Sequence, residues 1–511
     1  MPQASPARWL MPMLLALTTS ACSPAPPTER SGSRAIDLSA TRNTRLGRAI
    51  APLVESHPGK AGVRLIADPL DAFATWMRLV GKSERSLDLQ YYIWDDDVSG
   101  TLMLAALREA ADRGVRVRLL LDDLGTTGMD AELAALDRLP NAEVRLFNPL
   151  ALRGGLKWLS YLGDFARANR RMHDKVLIAD NQAAIIGGRN IDDTYFGASR
   201  ERLFLDLDVL VTGRVVRQAS ARFDRFWASP SAWPVAGVVS DVHAGPEAFV
   251  TDAPQAARFR EALKRVDLDD VLTGPDASMV WAPVTLVGDE PEKGLGIPPA
   301  NEDLLTGQLR EILETPARSI DVISSFFVPT PTVTEALTSL AARGVRVRVL
   351  TNSLDASDMP PAHAGYARYR RPLLAGGVQL YEMRRLTAGD VVDEPNGSLA
   401  RSSTTLHAKA VVIDGETVFL GSYNVDPRSA LLNTELGLVI ESRALAGRVE
   451  AMFDEQLPHG VYELRLEDGK IRWLERSAEG RTIRHDREPG AGPLKRGAVW
   501  FFSLLPIEWL L

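Results

Sequence analysis

Two stretches decide the fold: MHDKVLIADNQAAIIGGRN, residues Met172–Asn190, and LHAKAVVIDGETVFLGSYN, residues Leu406–Asn424. They align without a gap at an offset of 234 residues. Each reads as two apolar strand-like runs joined by a polar turn, DNQ in one and DGE in the other. Outward from them, SLDLQYYIW (from Ser86) leads through a helical stretch into RGVRVRLLLDD around Gly114. SIDVISSFF (from Ser319) leads likewise through TVTEALTSLAARGVRVRVLTN around Gly344. The order strand, amphipathic helix, strand thus occurs twice. The expected fold class is α/β, with two tandem sandwich-like units packed face to face as a pseudo-dimer within one chain.

Each copy carries His-x-Lys-x4-Asp: His173, Lys175, Asp180 and His407, Lys409, Asp414. A glycine turn and an asparagine follow, Gly187–Asn190 and Gly421–Asn424, and then an acidic residue, Asp206 in LFLDLDVLV and Glu435 in LNTELGLVI. With seven histidines in the whole chain, two at equivalent places in an aligned repeat form a motif. On a strand, residues i and i+2 share a face, so each histidine points with its lysine while the residue between them points away. Around a pseudo-twofold axis, two imidazoles, two ammonium groups and the amides of Asn190 and Asn424 would share one pocket. That set suits a phosphodiester. Lysines and amides, with the Ser422 hydroxyl beside them, bind phosphoryl oxygens and stabilise transition-state charge without a metal. One imidazole attacks phosphorus to give a phosphohistidine, and the other serves as acid and then base. Asp206 and Glu435 are candidates to hold a ring nitrogen of the histidines. Asp180 and Asp414 complete the motif as candidate catalytic groups, but they sit at turns, where a structural role is equally open.

Composition frames this reading. The chain has 511 residues, 45% hydrophobic and 24% charged, and a net charge of −7. That is ordinary globular material of several domains without the basic surplus of a non-specific nucleic-acid binder, so no nucleic-acid partner is expected. The one cysteine, Cys22, excludes an intramolecular disulfide and a cysteine metal cage. It closes MPQASPARWLMPMLLALTTSAC, a basic start, a short apolar run and small residues, the plan of a bacterial export signal; lipidation at Cys22 and anchorage to the cell envelope are expected. The expected organisation is a signal over 1–22, a Pro/Ser-rich tether over 23–45, repeat one with a crossover over 46–275, repeat two over 276–475 and a tail over 476–511. The apolar ending GAVWFFSLLPIEWLL is too short to span a bilayer. It reads as a packed terminal segment, with interfacial insertion as the alternative.

Smaller features have plainer readings. His363 stands near Tyr366 and Arg368 as a structural histidine or part of a substrate entrance. His57, His243, His459 and His485 read as surface residues. Asp95–Asp97 reads as a solvated turn before a cation site. The GVRVRL and GVRVRV runs read as half-buried edges or salt-bridged surface.

The doubled motif resembles the phospholipase D superfamily over roughly residues 45 to 511. QYYIWDDDVSG, NRRMHDKVLIADNQAAIIGGRNIDDTYF, DLDVLVTG, HAGYARYRRPLLAGGVQLYE and SLLPIEWLL are similar to its cardiolipin synthase C group. The resemblance implies a pair of α/β sandwich domains, no metal or other cofactor, and His173 as nucleophile with His407 as acid and base; the sequence itself does not rank the two. It implies phosphatidyl transfer from phosphatidylglycerol to a second phospholipid at a membrane surface, giving cardiolipin. A hydrolase releasing phosphatidic acid is the alternative, ahead of a metal-independent nuclease and an inactive lipid-binding lipoprotein. Two departures stand out: Asp174 where the group often has Asn, and Gly188 where the second repeat has Ser422.

Overall fold

The structure is a computed structural model and describes residues 31–199, 201–239, 245–274, 279–297, 303–314, 316–386, 403–456, 460–477, 480–505 and 507–511. Cys22 with the export segment, His243 and His459 lie outside the described residues.

The two repeats form two large sheets. In the first, the strands Ser86–Ile93, Arg116–Gly125 and Ala142–Phe147 run parallel, linked by the helices Val98–Asp112 and Asp130–Asp137. On the other side of Ser86–Ile93 lies the motif hairpin, Val176–Ala179 and Ala183–Gly187, followed by Asp208–Thr212, Ala61–Ile66 and Val280–Ala282, all antiparallel. The second sheet repeats the plan: Ser319–Ser324 and Arg346–Asn352 are parallel, and the hairpin Lys409–Ile413/Thr417–Gly421 pairs beside Ser319–Ser324. The crossover joins the sheets directly. Val280–Ala282 closes one edge of the first, and Val284–Gly288 pairs with Leu436–Glu441 in the second, so the switch falls at Pro283, a few residues past the expected boundary.

Alternation sorts the side chains. Leu177 and Ala179 pack under the outer helices with Trp76, Leu104 and Leu107. Val176 and Ile178 face inward, into a core shared with Ala410, Val412, Leu420 and Leu438 of the other repeat. Both faces of each motif strand are therefore buried, which explains runs of apolar residues longer than simple alternation. This shared core joins the two repeats of the pseudo-dimer.

The Arg-Val strands are interior strands, where edge strands had been one expectation. Arg118 forms a two-pronged ion pair with buried Asp88 (2.7 and 2.8 Å), and Arg348 pairs in the same way with Asp321. Part of the expected tether is also packed: Ala35 N–H donates to Asp224, and Gln182 donates to the buried hydroxyl of Thr41. Sheet two runs on into the expected tail, because Thr482–His485 pairs with Lys470–Arg476. Among the described residues no helix is long and apolar enough to cross a membrane.

Candidate active site

Two pairings between the repeats set the register of the site. Arg202–Leu205 runs parallel to Ser403–Leu406 with Leu205 opposite Leu406, so the next residues, Asp206 and His407, face each other. At the symmetry-related place Met172 bridges Thr434, so His173 meets Glu435. The backbone N–H of His407 donates to the Leu205 carbonyl (2.8 Å) and that of His173 to the Thr434 carbonyl (3.0 Å). Each histidine is thus oriented by the carboxylate of the other repeat: His173 Nδ1 lies 2.9 Å from Glu435 Oε2, and His407 Nδ1 lies 2.5 Å from Asp206 Oδ2. With Nδ1–H donated to a carboxylate, Nε2 of a neutral ring carries the lone pair.

Both histidines line one cavity of about 490 Å³, together with Tyr92, Asn190, Tyr195 and Phe204. A larger cavity, about 870 Å³, lies elsewhere, against the Arg45–Ser56 helix and Arg214, and holds none of these groups. Lys175 Nζ donates to the His173 carbonyl (2.7 Å). Lys409 Nζ sits beside the His407 ring, 2.9 and 3.2 Å from its nitrogens, and donates to Ser325 Oγ (3.1 Å). Both lysines are buried. Burial lowers Lys175 to about 7 and Lys409 to about 8. Burial and the neighbouring lysines lower both histidines, His407 to about 4 and His173 well below its ordinary value. Without a ligand, both rings are neutral at pH 7.

An entering phosphodiester reverses that balance. A single negative charge about 4 Å from an imidazole is worth about 4 kcal/mol at an effective dielectric of about 20, or about three pKa units. The direction is upward from the lowered value of His407. A phosphodiester held beside the ring would therefore favour proton uptake by His407.

The other sequence candidates fall into three groups. Asn190 lines the cavity, accepts from Ile93 N–H (3.2 Å) and donates to Tyr195 Oη (2.8 Å), whose hydroxyl lies 3.2 Å from His407 Nε2. Asn424 accepts from Ser325 Oγ (2.9 Å), the same hydroxyl that receives Lys409. Ser422 is a correction. Its fully buried hydroxyl donates to Glu435 and positions that carboxylate, leaving nothing for a substrate. Asp180 and Asp414 are corrections as catalytic candidates. Each lies past the far end of its motif strand, roughly 16 Å along the chain from its lysine at about 3.3 Å per residue. Asp180 accepts the N–H groups of Glu84, Arg85 and Ser86 (2.7–3.0 Å), and Asp414 those of Ala317, Arg318 and Ser319 (2.6–3.0 Å). Both have positive φ, 51° and 54°, which a short acidic side chain tolerates at a tight turn. They tie the hairpin turn to the neighbouring strand.

Asp174 points away from the cavity, as alternation requires, and is paired with Arg222 (2.8 Å) and Gln90 (3.1 Å). Gly188 has a steric reason: a Cβ there would lie 2.2 Å from Asp206 Oδ1. His363 lies outside the cavity lining, bound by Glu488 (2.7 Å) and Arg370 (2.8 Å). His57 stacks on Trp281, and His485 pairs with Glu475. Asp95, Asp97 and Asp192 offer oxygens within 4.8 Å of one another. Asp97, however, already caps the Val98–Asp112 helix through Gly100 N–H and accepts from Asp193 N–H. Sequence reasoning missed Tyr92, whose ring stands edge-on to His173 at 4.9 Å, and Tyr195 and Ser325. Tyr92 lies in QYYIW one place from the fully buried Tyr91, and only alternation along Ser86–Ile93 separates the two.

Comparison with known proteins agrees with this architecture. The family described as cardiolipin synthase, PLD-like domain, matches residues 77–227 and 309–457, one match for each repeat. Cardiolipin synthase C of Escherichia coli is 43% identical over 91% of this chain and 100% of its own length. The major cardiolipin synthase ClsA of Bacillus subtilis is 25% identical, covering 77% of this chain and 68% of its own. Among solved structures, phosphatidylserine synthase from Haemophilus influenzae superposes with a TM-score of 0.56 at 14% identity, over 92% of this chain and 100% of that one, a likeness of fold. This chain belongs to the PLD-like cardiolipin synthase family and is a phosphatidyltransferase/phosphodiesterase of the phospholipase D superfamily.

Proposed function

We propose that the enzyme transfers a phosphatidyl group from phosphatidylglycerol to a hydroxyl of a second phospholipid, making cardiolipin through a phosphohistidine, with no metal. The observation that carries the chemistry is the crossed pair: two histidines in one cavity, each held at Nδ1 by a carboxylate of the opposite repeat. Neutral His173 attacks with Nε2. The N–P bond forms, the bond from phosphorus to the glycerol headgroup oxygen breaks, and His407 gives that oxygen its proton. The acceptor hydroxyl then returns a proton to His407 as its oxygen bonds phosphorus and the N–P bond breaks. Assigning the acid to His407 is supported by Asp206. Burial alone would raise this carboxyl, but facing His407 and Lys409 bring it down to about 2, so it stays ionised and favours an imidazolium. Lys175 and Lys409 carry the charge of the five-coordinate state.

The lipid substrate is supported by the 43% identity to a cardiolipin synthase over the whole of that protein. Export and lipid anchorage through Cys22 would bring the enzyme to the envelope membranes where such lipids lie. The test is purified protein in mixed micelles of phosphatidylglycerol and phosphatidylethanolamine with chelator present, products read by mass spectrometry. Cardiolipin is expected. Phosphatidic acid alone would mean water is the acceptor, and no lipid turnover would overturn the reading.

A further inference from the structure

The final helix, Pro493–Ser503, is built with an apolar face turned outward. Val499 is buried and Phe502 packs on Ala364 and Leu354, which fixes the inner side. Leu494, Trp500, Phe501 and Leu504 lie at helical spacing on the outer side, 90%, 66%, 53% and 62% exposed. A soluble helix normally shows polar residues there, and large exposed apolar residues in one cluster mark an interaction surface. The helix has no acidic residue; of its two cationic ones, Lys495 turns inward and donates to the Asp355 carbonyl (2.9 Å), and Arg496 is exposed.

Its position ties it to the active site. The helix packs on Pro360–Ala367, immediately after the cavity residues Asp358 and Met359, and Met359 is itself 41% exposed. Beyond it the chain crosses to the first repeat. Trp509 meets Phe165 edge-on, and the Leu511 carbonyl accepts from the N–H of Arg428, whose charge acts on His173.

We infer that this outward stripe is a membrane-docking surface that seats the cavity mouth on an anionic phospholipid bilayer. The inference rests on the lipid reading of the site. Trp and Phe suit the headgroup boundary, and leucines at helical spacing enter the acyl region below it. Exposed Arg496, one turn before Trp500 at the edge of the stripe, complements the negative headgroup of phosphatidylglycerol, the proposed donor. Docking here lets a diacyl lipid present its phosphate to the cavity while its tails stay in the bilayer, so a 490 Å³ site need not enclose whole acyl chains.

The test uses the full chain carrying Cys22→Ser, which rules out the acyl anchor expected at Cys22, and vesicles of phosphatidylglycerol and phosphatidylethanolamine. The parent should float with the vesicles. The triple variant Trp500→Glu, Phe501→Glu, Leu504→Glu should bind at least about tenfold less while turning over monomeric short-chain phosphatidylglycerol as the parent does. Should the triple variant not fold, Trp500→Phe must lose part of the tryptophan quenching that brominated-tail lipids produce. A parent that does not float, a folded triple variant that floats equally, or unchanged quenching in Trp500→Phe would overturn the proposal. So would a stripe whose loss only converts a dimer to a monomer, which would make a second copy the occupant. A parent that floats through this stripe yet turns over no lipid of either kind would uphold docking and overturn the catalytic reading.

Discussion

The two half-sites follow one plan and differ in one coupled pair. In the half that holds His407, Gly188 leaves room for Asp206, which approaches Nδ1 to 2.5 Å and takes Leu207 N–H at 2.8 Å. In the half that holds His173, the longer Glu435 reaches Nδ1 at 2.9 Å and shares the same oxygen with Ser422, while Oε1 is buried with no hydrogen-bond partner among the described residues. The carboxyls diverge accordingly. Asp206 falls to about 2, and burial pushes Glu435 up to about 7 against the pull of Lys175 and Ser422. A one-methylene exchange, compensated by one hydroxyl, turns a symmetric fold into a site with unequal histidines. One is tethered to a permanent anion and suits proton transfer; the other is tethered to a carboxyl that titrates in the working range.

The largest effects test what the halves share. His173→Ala and His407→Ala should each lower lipid turnover by at least about a thousandfold, since covalent and acid steps both fail. Lys175→Met and Lys409→Met should each cost about a hundredfold or more through lost charge stabilisation. Phosphate titration calorimetry in buffers of different ionisation heat should register proton uptake near pH 7 in the parent and little in His407→Ala.

The next effects test what the halves do not share. Asp206→Asn should cost about 10- to 100-fold at every pH from 6 to 8. Glu435→Gln should cost most above pH 7. The parent kcat/KM should show a rising limb near pH 7, where Glu435 ionises, opposed by a falling limb as Lys175 loses its proton near 7, and only the rising limb should vanish in Glu435→Gln. The stability sign is opposite. A carboxyl raised to about 7 in the fold costs stability as pH climbs from its unfolded value, about 4.3, through 7. Glu435→Gln should therefore gain Tm relative to the parent at pH 8 and little at pH 4. Smallest of all, Ser422→Ala removes a donor that lowers Glu435, so it should move the acid limb upward with a few-fold loss at pH 7.

Much of this site was legible in the sequence because it is local. The strand period put His173 with Lys175 and turned Asp174 away, and the aligned repeat gave the pseudo-dimer. What escaped is non-local. Which carboxylate holds which histidine depends on the Leu205–Leu406 and Met172–Thr434 registers between repeats, and no pattern along one strand encodes them. Ser422 was misread, and the role of Asp180 left open, for a related reason. Motif membership does not tell a hydroxyl that serves a carboxylate, or a carboxylate that serves three backbone N–H groups, from one that serves a substrate. The tail's apolar sequence left packing and interfacial insertion both open, and which of its apolar side chains turn outward is visible only in the folded helix.

The division of labour between the halves can be tested most directly with a phosphatidyl ester of p-nitrophenol, whose leaving group needs no proton. His407→Ala should give a burst of about one nitrophenolate per enzyme and a phosphatidyl adduct that peptide mass spectrometry places on His173. An adduct on His407 in the reciprocal variant with none on His173, or parent turnover with no adduct on either histidine, would contradict it.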